Sequence, residues 1–184
     1  MATEDYLLIA LVVVAIVYLI HQAEVAVRQY LKFRGKMLVT CPETKKSAAV
    51  EMAAGRAAMA ALVNRRHLEL SDCSRWPERK DCGQDCLCEV EADPKSHRVW
   101  EIASGWYAGK TCVYCNKPID RFSHMDRRPA LLNAEGRTVE WDALPPQNLP
   151  GALSECLPVC WSCHMVESFR KQHPDLVVDR PWKH

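Results

Sequence analysis

The chain has little net charge and few of the residues that fill large cores. Its 24 lysines and arginines against 23 acidic residues leave a formal charge of +1. By itself this balance gives no electrostatic case for binding nucleic acid or a membrane surface. Only three phenylalanines and seven glycines occur among the 184 residues. A chain of this length has room for one modest domain or two very small ones.

Cysteine is the residue that the sequence has in abundance, with ten in all. Small units that bury too little apolar surface are stabilised by disulfides or by metal ions. Which of the two applies depends on the compartment, because thiols stay reduced in the cytoplasm and oxidise outside it.

An uncharged run, YLLIALVVVAIVYLI, extends from Tyr6 to Ile20. It is short for a membrane-spanning helix, which needs about 20 apolar residues, but apolar residues at helical spacing continue to Leu31. A buried globular helix is the alternative. A cleaved signal peptide does not fit, because the leading MATED is acidic and no small-residue cleavage site follows.

The charges beside this run predict its orientation. Glu4 and Asp5 precede it, and four basic residues follow it: Arg28, Lys32, Arg34 and Lys36. The positive-inside rule then predicts a single-pass protein of the inner (cytoplasmic) membrane, with the N-terminus outside and the rest in the cytoplasm. In that compartment the cysteines are predicted to be metal ligands rather than disulfides.

We predict an α+β chain in three parts: a membrane anchor over 1–35, a cysteine-rich module over 36–94 and a zinc module over 95–184. KMLVTCPETKKSAAVEM predicts a hairpin, and AAGRAAMAALV a helix that ends near Asn64. Further along, VWEIASGWY and CWSCHMVESFRKQH predict helices, and PALLNAEGRTVEW predicts two short strands. The proline-rich LPPQNLPG, between the two strands and the helix that begins at CWSCH, is predicted to be a loop.

Two Cys-x-x-Cys pairs, Cys112 with Cys115 and Cys160 with Cys163, define what we call the second cluster. Together they supply the four thiolates of the tetrahedral shell that zinc prefers. The order of knuckle, hairpin, loop and helix resembles a treble-clef zinc finger over roughly Thr111 to His173. The resemblance implies that all four cysteines are zinc ligands.

The stretch CWSCH also matches the c-type haem signature. Haem would be attached at Cys160 and Cys163, with His164 as the axial ligand. We prefer zinc, because haem attachment is normally completed outside the bacterial cytoplasm and would leave Cys112 and Cys115 without a role. A thioredoxin-like dithiol is not indicated, since no βαβ pattern accompanies the pairs.

The arrangement further resembles the HNH nuclease variety of treble clef, in which paired cysteines frame a catalytic Asp-His dipeptide. Here Asp126 is followed by Arg127, and His124 lies two residues before Asp126. A nuclease needs a general base and usually a divalent ion held by specific side chains. The resemblance therefore implies a degenerate relative, and we expect no enzyme activity.

Four more cysteines, Cys41, Cys73, Cys82 and Cys86, form what we call the first cluster. They predict a second metal site, in which zinc and an iron–sulfur cluster are both open. Buried thiols without a metal are the third alternative. Cys88 is predicted to point away from the site, and Cys156 to be a free thiol.

We expect a membrane-anchored zinc protein whose cytoplasmic cysteine-rich domain binds a protein partner or serves as an accessory subunit of a larger membrane complex. Nucleic acid is not an expected partner. One alternative is a membrane-anchored electron carrier, with haem at CWSCH or an iron–sulfur cluster at the first cluster. Another is a degenerate or divergent HNH-type nuclease.

Overall fold

A computed structural model describes residues 2–65, 67–78, 81–122 and 126–176. The chain divides into two units, unit 1 over 1–98 and unit 2 over 99–184. Both mix helices and short antiparallel strands. The predicted boundary after residue 94 falls just before this division.

Helix α1, Ala2–Phe33, is the longest element, and its two halves have different surroundings. Side chains from Asp5 to His21 are all exposed, although most of them are apolar. From Gln22 onward one face is covered, at positions three or four residues apart: Gln22, Val25, Ala26, Gln29 and Phe33. The helix is long and apolar enough to cross a membrane, and none of its most apolar window is buried.

The sheet of unit 1 has three antiparallel strands in the order β1-β2-β3. They are β1, Lys36–Thr40; β2, Ser47–Met52; and β3, Leu70–Cys73. Helix α2, Ala54–Leu62, follows β2 and packs on α1. Its buried residues are the alanines Ala54, Ala57 and Ala58, whose small side chains permit a close approach. Helix α3, Leu87–Ala92, adds Val90 to the core.

The last residues of unit 1 join β1 to the end of α1. Leu38 N–H donates to the His97 carbonyl at 2.7 Å, and the His97 ring nitrogen Nδ1 lies 2.8 Å from the Leu38 carbonyl. The Arg98 guanidinium donates to the carbonyls of Leu31 and Lys32. Because the last carbonyls of a helix have no partners within it, Arg98 caps the C-terminus of α1.

Unit 2 begins with α4, Val99–Tyr107, and contains a two-stranded and a three-stranded sheet. The two-stranded sheet pairs β4, Lys110–Thr111, with β5, Pro118–Ile119. The three-stranded sheet has the strand order β7-β6-β8. Its strands are β6, Ala130–Leu132; β7, Thr138–Glu140; and β8, Leu157–Val159. Helix α5, Leu149–Glu155, precedes β8, and α6, Trp161–Gln172, follows it. Edge-to-face rings fill the core, with Trp100 centred 5.1 Å from Phe122 and 5.4 Å from Trp141.

The predicted hairpins and helices are present, and α6 ends at Gln172, just before Pro174. The proline-rich LPPQNLPG is not a plain loop. It forms a 3₁₀ turn at Pro146–Asn148 and then opens α5, with Pro150 in the first turn, where the missing N–H is tolerated. Strands β3, β4, β5 and β8 are not predicted from the sequence, because strands of two to four residues are too short to show a period.

Candidate metal centre

Cys112 and Cys115 lie on a six-residue turn between β4 and β5, which we call the second knuckle (residues 112–117). Cys112 N–H donates to the Lys117 carbonyl at 2.9 Å, and Asn116 N–H donates to the Cys112 carbonyl at 2.9 Å. The turn closes through Asn116 at φ 55°, a left-handed conformation that asparagine tolerates better than most residues. The paired strands fix the ends of the knuckle, and the thiols of both its cysteines meet in one group.

Cys160 and Cys163 come from the start of α6. Cys160 is the N-cap, with extended φ −70° and ψ 156°, and no side chain caps the helix. The first N–H groups of a helix lack partners within it, and together with the helix dipole they stabilise thiolates. Strand β8 delivers Cys160, and Val113 N–H donates to the Pro158 carbonyl at 3.0 Å. That bond joins the second knuckle directly to the strand before α6.

The four sulfur atoms of the second cluster converge. All of them lie within 4.8 Å of one another, and Cys115 Sγ is 3.7 Å from Cys160 Sγ. Thiolates bound tetrahedrally about 2.3 Å from one zinc ion would lie about 3.8 Å apart. The four cysteines can therefore hold a single metal ion with little rearrangement.

The thiols of the second cluster differ in their affinity for protons. Burial raises the pKa of Cys112, but backbone N–H groups of Cys160, Cys115 and Tyr114 outweigh it and lower that pKa to about 6. Burial raises the pKa of Cys160. Burial, followed by hydrogen bonds with the neighbouring thiols, raises the pKa of Cys163. Crowded thiols do not all ionise on their own, so metal binding here would release protons.

His164 does not join the sulfur atoms. Its side chain is buried, at 7% exposure, with Nδ1 2.9 Å from Thr138 Oγ1 and Nε2 3.5 Å from a Glu140 carboxylate oxygen. Both ring nitrogens therefore face β7. A c-type haem would need one of them on iron and both Cys160 and Cys163 in thioether bonds. The geometry favours a metal ion over haem at CWSCH.

Replacing His164 with glutamine should leave the metal content unchanged. The loss of buried polar contacts to Thr138 and Glu140 should lower the free energy of unfolding by about 1–3 kcal/mol. Elemental analysis and urea unfolding of the full chain in detergent check this. Cys163→Ser is the matched control, one residue away, and should lose the metal. Loss of the metal in His164→Gln would contradict the four-cysteine ligand set.

The first cluster is arranged differently. Cys41, Cys73, Cys82 and Cys86 all line one small apolar cavity of about 20 Å³ in unit 1. Among the described residues, however, only the second cluster brings three or more ligand atoms within 4.8 Å of one another. Burial, followed by the charges of Cys82, Cys73 and Cys41, raises the pKa of Cys86 to about 11. The metal site at the first cluster thus stays a prediction.

The remaining cysteines and Asp126 lie outside the two clusters. Cys88 is exposed, and its Sγ donates to the Asp85 carbonyl at 2.9 Å. Cys156 is half-buried beside a cavity lined by α5 and β7 residues. Asp126 is exposed, and His124 lies outside the described residues. The nuclease alternative therefore stays a prediction.

Some residues that shape the site carry weak sequence signals. Asn116, directly after Cys115, could have been recognised from the sequence, because asparagine suits a left-handed turn. The bond between Val113 and Pro158 joins residues far apart in the chain through their backbones. No residue-type pattern records such a contact.

No protein-family model, no curated protein and no solved structure matches the chain.

Proposed function

We propose that the chain is a single-pass membrane protein whose second cluster holds structural zinc in a treble-clef-like unit 2, and that this unit binds a protein partner. The observation that carries the proposal is the convergence of four cysteine sulfurs on elements that also present exposed apolar side chains.

Zinc is the ion that this sulfur set suits best. Four thiolates form a closed tetrahedral shell, and such closed shells are typical of structural rather than catalytic zinc. The elements follow the order of a treble clef: a knuckle, the β6–β7 hairpin and a helix whose first turn bears two ligands. Unit 2 has a small core of aromatic rings, so a metal would supply much of its stability.

Large apolar side chains stay exposed on the same elements, and we call this set the apolar rim. On the knuckle and β8 they are Val113, Tyr114 and Leu157; on α6 they are Met165, Val166 and Phe169. Val166 follows the ligand Cys163 by three residues and is its neighbour on the surface of α6, and Phe169 is in turn the neighbour of Val166. Clustered exposed apolar residues mark protein interaction sites, and the metal would hold these elements rigidly together.

The first half of α1 supports membrane anchoring. Its apolar side chains are exposed over 5–21, while unit 1 begins to cover the helix at Gln22. Basic residues follow the run and acidic ones precede it, which favours an outside N-terminus and a cytoplasmic position for both units. Lys32 and Arg34 are exposed near the end of α1, where they can meet anionic headgroups.

A non-catalytic role fits the surroundings of the metal. A closed four-sulfur shell leaves no open coordination position for a substrate or water. The nearby His164 is buried and directed at Thr138 and Glu140, so it is poorly placed to act as a base on a solvent-borne substrate.

A photo-crosslinking residue at Phe169 tests partner binding. In membranes of cells that express the full chain, it should give a discrete adduct heavier than the chain. The same residue at Met59, an exposed apolar position on α2, is the matched control and should give none. If Phe169 and Val166 both failed to crosslink while metal content stayed normal, the partner-binding proposal would be wrong.

A further inference from the structure

Unit 1 contains a turn with the same backbone architecture as the second knuckle. It is the six-residue segment 41–46, CPETKK, between β1 and β2, and we call it the first knuckle. Cys41 N–H donates to the Lys46 carbonyl at 2.9 Å, and Lys45 N–H donates to the Cys41 carbonyl at 2.8 Å.

The two knuckles agree position by position. Each starts with a cysteine directly after a strand and ends before a paired strand, with flanking pairs Thr40↔Ser47 and Thr111↔Pro118. The fifth residue is left-handed in both, at φ 57° for Lys45 and 55° for Asn116. Lysine has no side-chain reason to adopt this conformation, so it is maintained by the turn itself.

Of the two positions that carry ligands in the second knuckle, only the fourth differs in residue type. Thr44 occupies in the first knuckle the place that the ligand Cys115 occupies in the second. A metal site built on the first knuckle would therefore receive one thiolate from the turn, Cys41, and would need three from other elements.

Three further thiols line a cavity together with Cys41. Cys73 ends β3, Cys86 is the N-cap of α3, and Cys82 precedes it. All four line the same cavity of about 20 Å³, which is enough for one water-sized particle or one ion. Cys41, Cys73 and Cys86 are buried.

A cation already faces this group. Arg75 Nη1 donates to Cys41 Sγ at 3.0 Å and to Thr44 Oγ1 at 3.2 Å. Four thiolates around a divalent ion carry a net charge of about −2, which hydrogen-bonding groups around the ligands usually offset.

We propose that Cys41, Cys73, Cys82 and Cys86 bind a second zinc-class ion, in a site built on the first knuckle and neutralised in part by Arg75. The thiols stand further apart than in the second cluster and draw together on the ion as it binds. The site depends on unit 1 alone, so it stands or falls separately from partner binding by unit 2.

Metal counting on the full chain in detergent tests this. The chain expressed with zinc supplied should hold about two ions, and Cys82→Ser should hold about one, since four-sulfur sites rarely survive loss of a ligand. Cys88→Ser is the matched control in the same segment, exposed and bonded to Asp85, and should keep both. One ion in the unchanged chain, or two in Cys82→Ser, would overturn the proposal.

A rescue variant distinguishes metal binding from general damage to the fold. The knuckle equivalence predicts that a cysteine at position 44 points at the site as Cys115 does. Thr44→Cys combined with Cys82→Ser should therefore restore the second ion. If the double variant bound only one ion while circular dichroism showed that it was folded, the knuckle-based geometry would be wrong.

Visible absorption decides between a single ion and a cluster. Zinc thiolate is colourless there, whereas an iron–sulfur cluster absorbs. We expect no visible band after growth with both metals supplied. An iron-dependent band lost in Cys82→Ser would refute the single-ion site.

Discussion

Replacing Cys160 with serine should release the metal of the second cluster and unfold the chain from about Thr111 onward, while the α1 anchor stays in the membrane. Cys160 connects the two halves of the site, because it is the N-cap of α6 and its Sγ lies 3.7 Å from Cys115 Sγ. Metal binding in small zinc modules contributes on the order of ten kcal/mol to folding. A domain has a net stability of only about 5–15 kcal/mol, so the loss should be decisive.

Circular dichroism and metal analysis of the variant measure this effect. Cys156→Ser is the matched control, because Cys156 lies four residues earlier and outside the sulfur group. It should keep the metal and change the free energy of unfolding little. A folded Cys160→Ser chain with the second-cluster metal intact would show that the ligand assignment is wrong.

Deleting residues 1–20 should convert the chain from a membrane protein to a soluble one without unfolding unit 1. Each large apolar side chain moved from water into lipid contributes about 1.5–3 kcal/mol, and the run from Tyr6 to Ile20 consists almost entirely of such residues. The deleted side chains described by the structure are exposed, so the protein core loses no contacts. Membrane fractionation with an alkaline wash measures the partitioning.

A longer deletion, through Phe33, provides the contrast. Phe33 is 1% exposed and lies in the core with Met37 and Val50. Losing a buried phenylalanine costs about 3–5 kcal/mol by itself, and the packed half of α1 would be lost with it. The variant that lacks residues 1–33 should therefore leave the membrane but be unfolded or aggregated. If the shorter deletion also unfolded unit 1, the division of α1 at Gln22 would be wrong.

Local patterns determined much of this protein. The uncharged run predicted a long helix because its side chains are apolar on every side, and α1 extends through it. The alanine-rich stretch predicted α2, since alanine has the highest helix propensity. The second cluster was predictable because each Cys-x-x-Cys pair brings its thiols together within a few residues, which leaves only the meeting of the two pairs to the fold.

The tertiary structure decided what depends on residues distant in the chain. The sequence contains five thiols from Cys41 to Cys88 at irregular spacing. The fold of unit 1 places four of them around one cavity and leaves Cys88 exposed. The likeness of the first knuckle to the second could not be recognised from the sequence. Thr44 stands where the second knuckle has a cysteine, and the two turns are alike in their backbone hydrogen bonds. The point at which α1 passes from exposed to covered is likewise set by α2 packing against it. Helical periodicity describes which side chains share a face, but only the neighbouring elements determine which face is buried.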